Sequence, residues 1–461
     1  MTEVLLSDVG HDNEVLRIDA EYFGKEVLAA MHRLQSIKAK ALDELAYITD
    51  GIHTSLPFVE GGAVRVLSAK HPKDNYIASG PFECVTGEFH AQNPRTALRR
   101  NDVLISTVGT IGNAAVVTDD VLPANSDRHV GIIRVRAEAP PPFFLSTFLV
   151  SRFGRIQSVR ETTGNVQPNL FISKIGRLLI PRFTPDFELR IARQVEDAYR
   201  CRKQSVDLLA DAEQTLLHAL DLDTWTPPEA LSYVRSSRDA FAAGRLDAQF
   251  FAPRVEQLLA RLGRDGLRLG DVAPARHERF EPSGAGHFDY IEIGSLGADG
   301  TAATERVTMT EAPSRATQHV RNGDVITSTV RPIRRLSALI TPNQDGAVCS
   351  SGFVVLQPRS ISGEVLLTYL RLPLVCELMD LHTSATMYPA ISESDLLALP
   401  IPAISSSVQT QIQEAVCRSA QARHRATLFL DAAKRAVEIA IEESESEAIK
   451  FLEDMTKERG G

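Results

Sequence analysis

The chain has 461 residues, 43% of them apolar, enough for two or three globular domains that each bury a core. Its five cysteines form no CxxC pair and its twelve histidines show no metal-ligand spacing, so neither a disulfide framework nor a zinc site is indicated. Net charge is −9; eight acids and two lysines between Glu438 and Glu458 account for −6 of it, and the −3 left elsewhere permits a nucleic-acid partner without requiring one.

The first residues carry Glu3, Asp8 and Asp12 and no unbroken apolar run, which does not read as a signal peptide. The densest apolar stretch, Phe143–Val150, is too short to span a bilayer. A cytoplasmic protein with reduced thiols and no membrane association is expected.

Along the chain the same blocks then appear twice. Arg17-Ile-Asp-Ala-Glu-Tyr-Phe23 returns as Arg245-Leu-Asp-Ala-Gln-Phe-Phe251, an offset of 228. Asn101-Asp-Val-Leu-Ile-Ser-Thr-Val108 returns as Gly323-Asp-Val-Ile-Thr-Ser-Thr-Val330 at 222, and Ile180-Pro181 as Ile401-Pro402 at 221. Blocks that keep their order and nearly their spacing mark a tandem duplication. In each copy short β-branched runs lie between Gly, Pro, Asn and Asp turn signals, as at Asp102–Ser106, Ala114–Thr118, Val130–Val135, Val325–Val330 and Gly352–Leu356.

After the Ile-Pro stop each copy turns helical. Phe187, Ile191, Val195, Ala198, Val206, Leu209, Ala212, Leu216 and Ala219 fall mostly three or four apart, as do Val408, Ile412, Ala415, Ala422, Ala426, Phe429, Ala433, Val437 and Ala440. A helix starting at Asp186, which suits an N-cap, and ending at Leu220 would run about 50 Å at ~1.5 Å per residue. Pairing the two long helices is the simplest way to bury both stripes. Between the copies, Asp221–Gly244 reads as a connector, with Trp225 as a local packing anchor.

Catalytic signatures are missing. There is no GxxxxGK[ST] loop, GxSxG elbow or HExxH helix. Ala139-Pro-Pro-Pro-Phe143 lacks the polar residue that an amino-methyltransferase needs before its two prolines, and no Gly-rich S-adenosylmethionine loop appears. A duplicated scaffold with varied loops and no catalytic constellation is the profile of a binding module.

The Asp102–Thr107 strand with Gly109-Thr-Ile-Gly112, the Thr163-Gly-Asn-Val-Gln-Pro-Asn169 segment and the Ile-Pro stop before a long helix resemble the specificity subunit of type I restriction–modification systems, over essentially the whole chain. The resemblance implies an α+β protein with two tandem target-recognition domains of α/β type, joined by two long helices in an antiparallel coiled coil with pseudo-twofold symmetry. The expected parts are residues 1–185 for the first recognition domain, 186–222 for its helix, 223–244 for the connector, 245–403 for the second domain, and 404–461 for the second helix and acidic tail. It further implies no catalysis and no cofactor of its own, with S-adenosylmethionine on two methyltransferase subunits and ATP with Mg on restriction subunits. The expected ligand is double-stranded DNA with a split site.

The second copy departs from this pattern, with Arg331-Pro-Ile-Arg-Arg335 for Gly-Thr-Ile-Gly and Thr383-Ser-Ala-Thr-Met387 for Thr-Gly-Asn-Val-Gln, a divergence that two different half-sites would require. Arginine suits guanine, and asparagine or glutamine suits adenine, in the major groove. Candidate DNA contacts are therefore Asn165, Gln167 and Asn169 in one loop, Arg331, Arg334 and Arg335 in another, together with Thr110 and Asn113. Lys70 and His71, with Lys73, are candidate phosphate contacts. For the asparagines turn formation stays open beside base contact, and Gly109, Gly112 and Gly164 are expected to serve the backbone turn. Basic clusters also sit at Arg95, Arg99 and Arg100 and at Arg128 with His129, so the charge distribution permits DNA binding without predicting it. Two alternatives stand beside this reading: a recognition subunit of another phage-defence methylation system, and a coiled-coil adaptor that binds no DNA. A third is an enzyme whose site no motif reveals.

Overall fold

A computed structural model describes residues 17, 19, 22–78, 80, 82–163, 168–384 and 389–457. In chain order the first copy runs α1 (Lys25–Ser36), β1 (Ala39–Ala41), α2 (Leu42–Leu45), β2 (Ala46–Asp50), β3 (Val64–Leu67), β4 (Glu83–Val85), α3 (Gly87–Gln92), β5 (Val103–Ser106), β6 (Ala114–Val116), β7 (Ala124–Ser126), β8 (Val130–Val135), α4 (Pro142–Val150), α5 (Arg152–Arg160), α6 (Ile172–Ile175), β9 (Leu179–Pro181) and α7 (Pro185–Ala219). After α8 (Ser237–Ala243) the second copy runs α9 (Pro253–Leu262), α10 (Leu269–Val272), β10 (His287–Ile291), β11 (Glu305–Thr308), β12 (Ala316–His319), β13 (Val325–Ser328), β14 (Ser337–Leu339), β15 (Val348–Ser350), β16 (Phe353–Leu356), α11 (Gly363–Leu370), α12 (Pro373–Leu381), β17 (Thr383–Ser384), β18 (Ala390–Ile391), α13 (Glu393–Ala398), α14 (Ser406–Glu442) and α15 (Glu445–Lys457).

The chain divides into two compact units, one formed by the residues up to Arg202 with those from Arg423, the other by Lys203–Ala422. The division falls inside both long helices rather than at their starts, because each stripe is buried partly in one unit's core and partly in the other's.

In the first unit a four-stranded sheet has the order β2-β8-β5-β6, and a three-stranded one β4-β3-β7, with β3 and β7 parallel. Side chains alternate across a strand, so a strand buried on both faces supplies two cores. On β5, Val103 and Ile105 join the large core that includes Phe144 and Phe148 of α4 and the long-helix residues Phe187, Ile191, Ala433 and Val437, while Leu104 joins Leu67, Val117 and Ile132 on the other side. Helix α4 contains the Phe143–Val150 run and lies between the sheet and the long helices; every residue from Phe143 to Val150 is buried, and its two hydroxyls, Ser146 and Thr147, are met by the Asn75 amide.

The second unit repeats this plan. Its sheets are β14-β13-β16 and β11-β10-β15-β12, with β10 and β15 parallel as β3 and β7 are. On β13, Val325 joins the core of α11, α12 and the long helices, and Ile326 joins Ile291, Ala338 and Val355 on the opposite face. The Arg-x-Asp repeat also has a structural purpose. Arg17 pairs with Asp19 and donates from Nη1 to the carbonyl of Arg160 at 2.8 Å; Arg245 pairs with Asp247 and donates from Nη1 to the carbonyl of Leu381. Each guanidinium also lies over an aromatic ring, Tyr22 in one copy and Phe250 in the other. One device thus pins the lead-in segment of both copies.

Within the first unit Thr184 donates to Glu445 and Gln194 donates to the carbonyl of Phe429, so the two long segments run in opposite directions there. In the second unit Ser205 meets Ser419, hydroxyl to hydroxyl at 2.8 Å, both side chains buried. This corrects the expected stripe at one point. Val206 is 47% exposed, and Ser205 takes the inward position, because a hydroxyl can enter the seam when another hydroxyl faces it. Trp225 packs against the second unit's core beside Arg261. Among the described residues no helix is long and apolar enough to cross a membrane, and no three His, Cys, Asp or Glu side chains are grouped to hold a metal ion.

Candidate nucleic-acid interface

Strand direction gathers the loops of each unit at one end of its sheets. In the first unit β2, β3, β5 and β7 finish where β8 begins, since Asp50 lies opposite Gly131, Ser106 opposite Val130, and Leu67 beside Ser126. Backbone hydrogen bonds then tie the loops together. Ile52 N–H donates to the Ser126 carbonyl at 2.8 Å, Asp127 to Leu67 at 2.9 Å, Thr107 to His129 at 3.1 Å, and Leu170 to Thr107 at 2.9 Å. The second unit builds the same cradle: Thr329 donates to Gly352 at 2.9 Å, Ile391 to Thr329 at 3.0 Å, and Arg331 to Pro389 at 2.9 Å.

The chain between β5 and β6 turns through Gly109 (φ +69) and Gly112 (φ +79), left-handed conformations that glycine takes without steric cost. As expected, these two glycines serve the turn. The Ser106 hydroxyl closes it by donating to the carbonyl of Thr110, whose side chain is exposed. Between β13 and β14 the loop is one residue longer, and the left-handed positions are held by Arg331 (φ +50) and Arg335 (φ +60). Pro332 is buried in this turn, whereas Ile333, 52% exposed, and Arg334 face solvent. Arg335 turns back toward α7, where its Nη2 meets the Glu213 carboxylate at 2.6 Å.

The residues singled out in the first copy separate into two groups. Thr110 and Lys70 are exposed, and Asn169 is half-buried, its backbone paired with that of Thr163. Asn113 and His71 are turned inward, each 6% exposed. The Asn113 amide oxygen accepts from Arg155 at 2.9 Å, and the His71 Nδ1 accepts from the Ser68 N–H at 2.8 Å while its ring stacks on Phe82. Burial, with Lys70 and Lys73 adding to it, pushes the His71 imidazole down to about 4, so it is neutral near pH 7 and carries no charge for a phosphate. Asn165 and Gln167 lie outside the described residues, as does Gly164.

The clusters that look basic in sequence are divided in space. Arg95 reaches Asp50 at the loop end of β2, at 3.0 Å, and His53 meets the same carboxylate. Arg99 and Arg100 sit where β5 begins, at the far end of that strand, with Arg100 paired to Asp119. Arg128 is exposed at the loop end and donates to the His129 ring at 3.2 Å.

Two links to the long helices have no signal in the sequence. Asp74, in the loop after β3, receives Arg155 at 3.0 Å and Lys434 of α14 at 2.7 Å. Burial works against the Lys434 charge, but Asp74 outweighs it and holds the ammonium above its usual range. The second link is the Arg335–Glu213 pair.

No family model matches the chain, and no curated protein matches it in sequence. Solved structures to which it is similar include the S subunit of a type I restriction–modification system from M. genitalium, at 12% identity over 88% of this chain and 94% of that one, with a TM-score of 0.39. A second belongs to work on complex assembly and conformational transition of the type I R-M system, at 19% identity over 86% and 97%, with a TM-score of 0.28. The HsdS subunit from Thermoanaerobacter tengcongensis is similar at 20% identity over 86% and 96%, also with a TM-score of 0.28.

Proposed function

We propose that the chain is the DNA sequence-recognition subunit of a type I restriction–modification complex. The observation that carries this reading is the cradle built twice on one backbone plan with different side chains at its rim. A protein that reads two unlike half-sites needs a constant scaffold and two variable loops. In the first unit Thr110, Asn169, Lys70 and Arg128 stand at or near that rim, and Asn165 and Gln167 precede Asn169 in sequence. In the second Arg331 and Arg334 stand there. Arginine and amide side chains are the groups that read guanine and adenine by paired hydrogen bonds, and lysines position the duplex through phosphates.

On this reading the paired helices form an antiparallel coiled coil that fixes the spacing between half-sites, and the units are related by a pseudo-twofold. Methylation and cleavage belong to partners: two methyltransferase subunits that use S-adenosylmethionine, and restriction subunits that use ATP and Mg, all in the cytoplasm. The chain by itself neither methylates nor cuts DNA. A recognition subunit of another phage-defence methylation system would share every one of these features.

The test is binding of the full chain to random duplex across salt concentration, then mapping of methylated sites in cells that hold it with its methyltransferase. Binding that weakens steeply with salt and a methylated motif in two separated parts are expected. Replacing Asn165, Gln167 and Asn169 should alter one part only. Absence of salt-dependent binding would favour the adaptor reading, to which the acidic residues after Glu438 lend some support. An uninterrupted methylated motif would end the split-site reading.

A further inference from the structure

The second unit's loop holds two arginines in left-handed backbone where the first unit has glycines, and something must keep it there. Arg335 is fixed at both ends of the residue. Its guanidinium meets Glu213 of α7 at 2.6 Å. Its carbonyl accepts from Arg371 Nη1 of the α11–α12 turn at 2.8 Å, and Arg371 Nη2 also donates to the carbonyl of Ala298. Arg371 is partly buried, and burial together with nearby Arg335 draws its pKa down. Two neighbouring guanidiniums need anions beside them: Asp299 offsets the charge at Arg371, and Glu213 pairs directly with Arg335. Removing the Glu213 carboxylate leaves the Arg335 guanidinium without its ion-pair partner, near Arg371 and in a turn that favours glycine.

The first unit reaches the same end by other residues. Lys434 of α14 holds Asp74, Asp74 holds Arg155, and Arg155 holds the amide oxygen of Asn113, the last residue before β6. In each unit the loop between these two strands is therefore tied by charge to a long helix. The polarity is reversed: the helix offers a cation in the first unit and an anion in the second.

We propose that Glu213 is a positioning residue for the 329–336 loop, acting through Arg335, and that this ion pair sets the base preference of the second unit; the inference rests on the DNA-reading role given to that loop. Glu213 touches no DNA. It holds the turn that carries Arg331 and Arg334.

The experiment compares the full-length parent with Glu213→Gln, Arg335→Gly and the double variant. Amide exchange at 329–336 in Glu213→Gln should rise about tenfold, with exchange at 103–116 of the first unit unchanged as internal control. Discrimination among duplexes varied in the second half-site should fall about tenfold, while first-half discrimination and the salt slope stay as in the parent. In the Arg335→Gly background the same Glu213→Gln change should do nothing further, because glycine takes the left-handed conformation alone and leaves no guanidinium to balance. Unchanged exchange at 329–336 in Glu213→Gln would overturn the proposal. So would a Glu213→Gln effect that persists beside Arg335→Gly, or equal loss in both half-sites. If the parent shows no sequence preference on any duplex, the DNA reading of the chain fails instead, and the exchange measurement still decides whether Glu213 holds the loop.

Discussion

In the first unit the chain passes from β5 to β6 through Gly109 and Gly112; in the second it passes from β13 to β14 through Arg331 and Arg335, with the same handedness at both corners. The glycine turn is held from within, by the Ser106 hydroxyl on the Thr110 carbonyl and by Asn113 folded inward on Arg155. The arginine turn keeps the internal contact, with the Ser328 hydroxyl donating to the Val330 carbonyl at 3.0 Å, and adds Glu213 and Arg371 at its second corner. A left-handed residue with a Cβ costs roughly 1–2 kcal/mol relative to its right-handed form. A scaffold copied from one ancestor can therefore accept long cationic side chains at glycine positions when neighbouring charges offset that strain.

The largest effect should come from the arginines themselves. Replacing Arg331, Arg334 and Arg335 together by alanine should weaken recognition of one half-site by about 1–3 kcal/mol for each base that is no longer read, seen as altered preference in a duplex selection. The other half-site should not respond. If both halves move together, the two loops are not independent readers.

A pH difference between the units is expected next. The unfolded His71 imidazole takes a proton near 6.5 and the folded one only near 4, so the first unit loses stability as pH falls through that window and is indifferent above it. By pH 4 the loss from this group is on the order of 3 kcal/mol. Ile293–Ser295 form a 3-10 turn after β10, where the first copy has His71, and no histidine stands there; the second unit's own acid response comes from His382, whose imidazole burial also draws down. Unit-resolved hydrogen exchange on the parent and His71→Gln should show an acid-sensitive first unit that the substitution relieves.

Smaller changes test the turns. Gly112→Ala should destabilise the first unit by about 2 kcal/mol, because the backbone is left-handed and a Cβ would stand 3.1 Å from the Ser158 Cβ. Gly109→Ala should cost about 1 kcal/mol, since its conformation is equally left-handed but nothing lies within 4 Å. Arg331→Gly should stabilise the second unit by about 1 kcal/mol or less, as relief of strain is partly offset by a freer unfolded chain. Urea unfolding followed by exchange in each unit would measure all three. A destabilised Arg331→Gly would mean that the arginine side chain itself supports the turn.

The sequence by itself determined the duplication, the two long amphipathic helices and the turning role of Gly109 and Gly112. Each of these is written in neighbours a few residues apart or in a block repeated whole, and local periodicity or backbone sterics read it directly. Tertiary structure alone decided which polar residues face outward. Asn113 and His71 sit in loops rich in polar residues, yet Arg155 and the Ser68 N–H draw them inside; Arg95 and Arg100, five residues apart, end at different ends of one strand because the chain runs along it. Ser205, seven residues from both Ala198 and Ala212, takes the seam position in place of Val206, and Ser419 opposite satisfies its hydroxyl. The ties from Lys434 to Asp74 and from Glu213 to Arg335 join residues far apart in sequence, and a charge pair leaves no period to read. Its partners are known to each other only after the chain has folded.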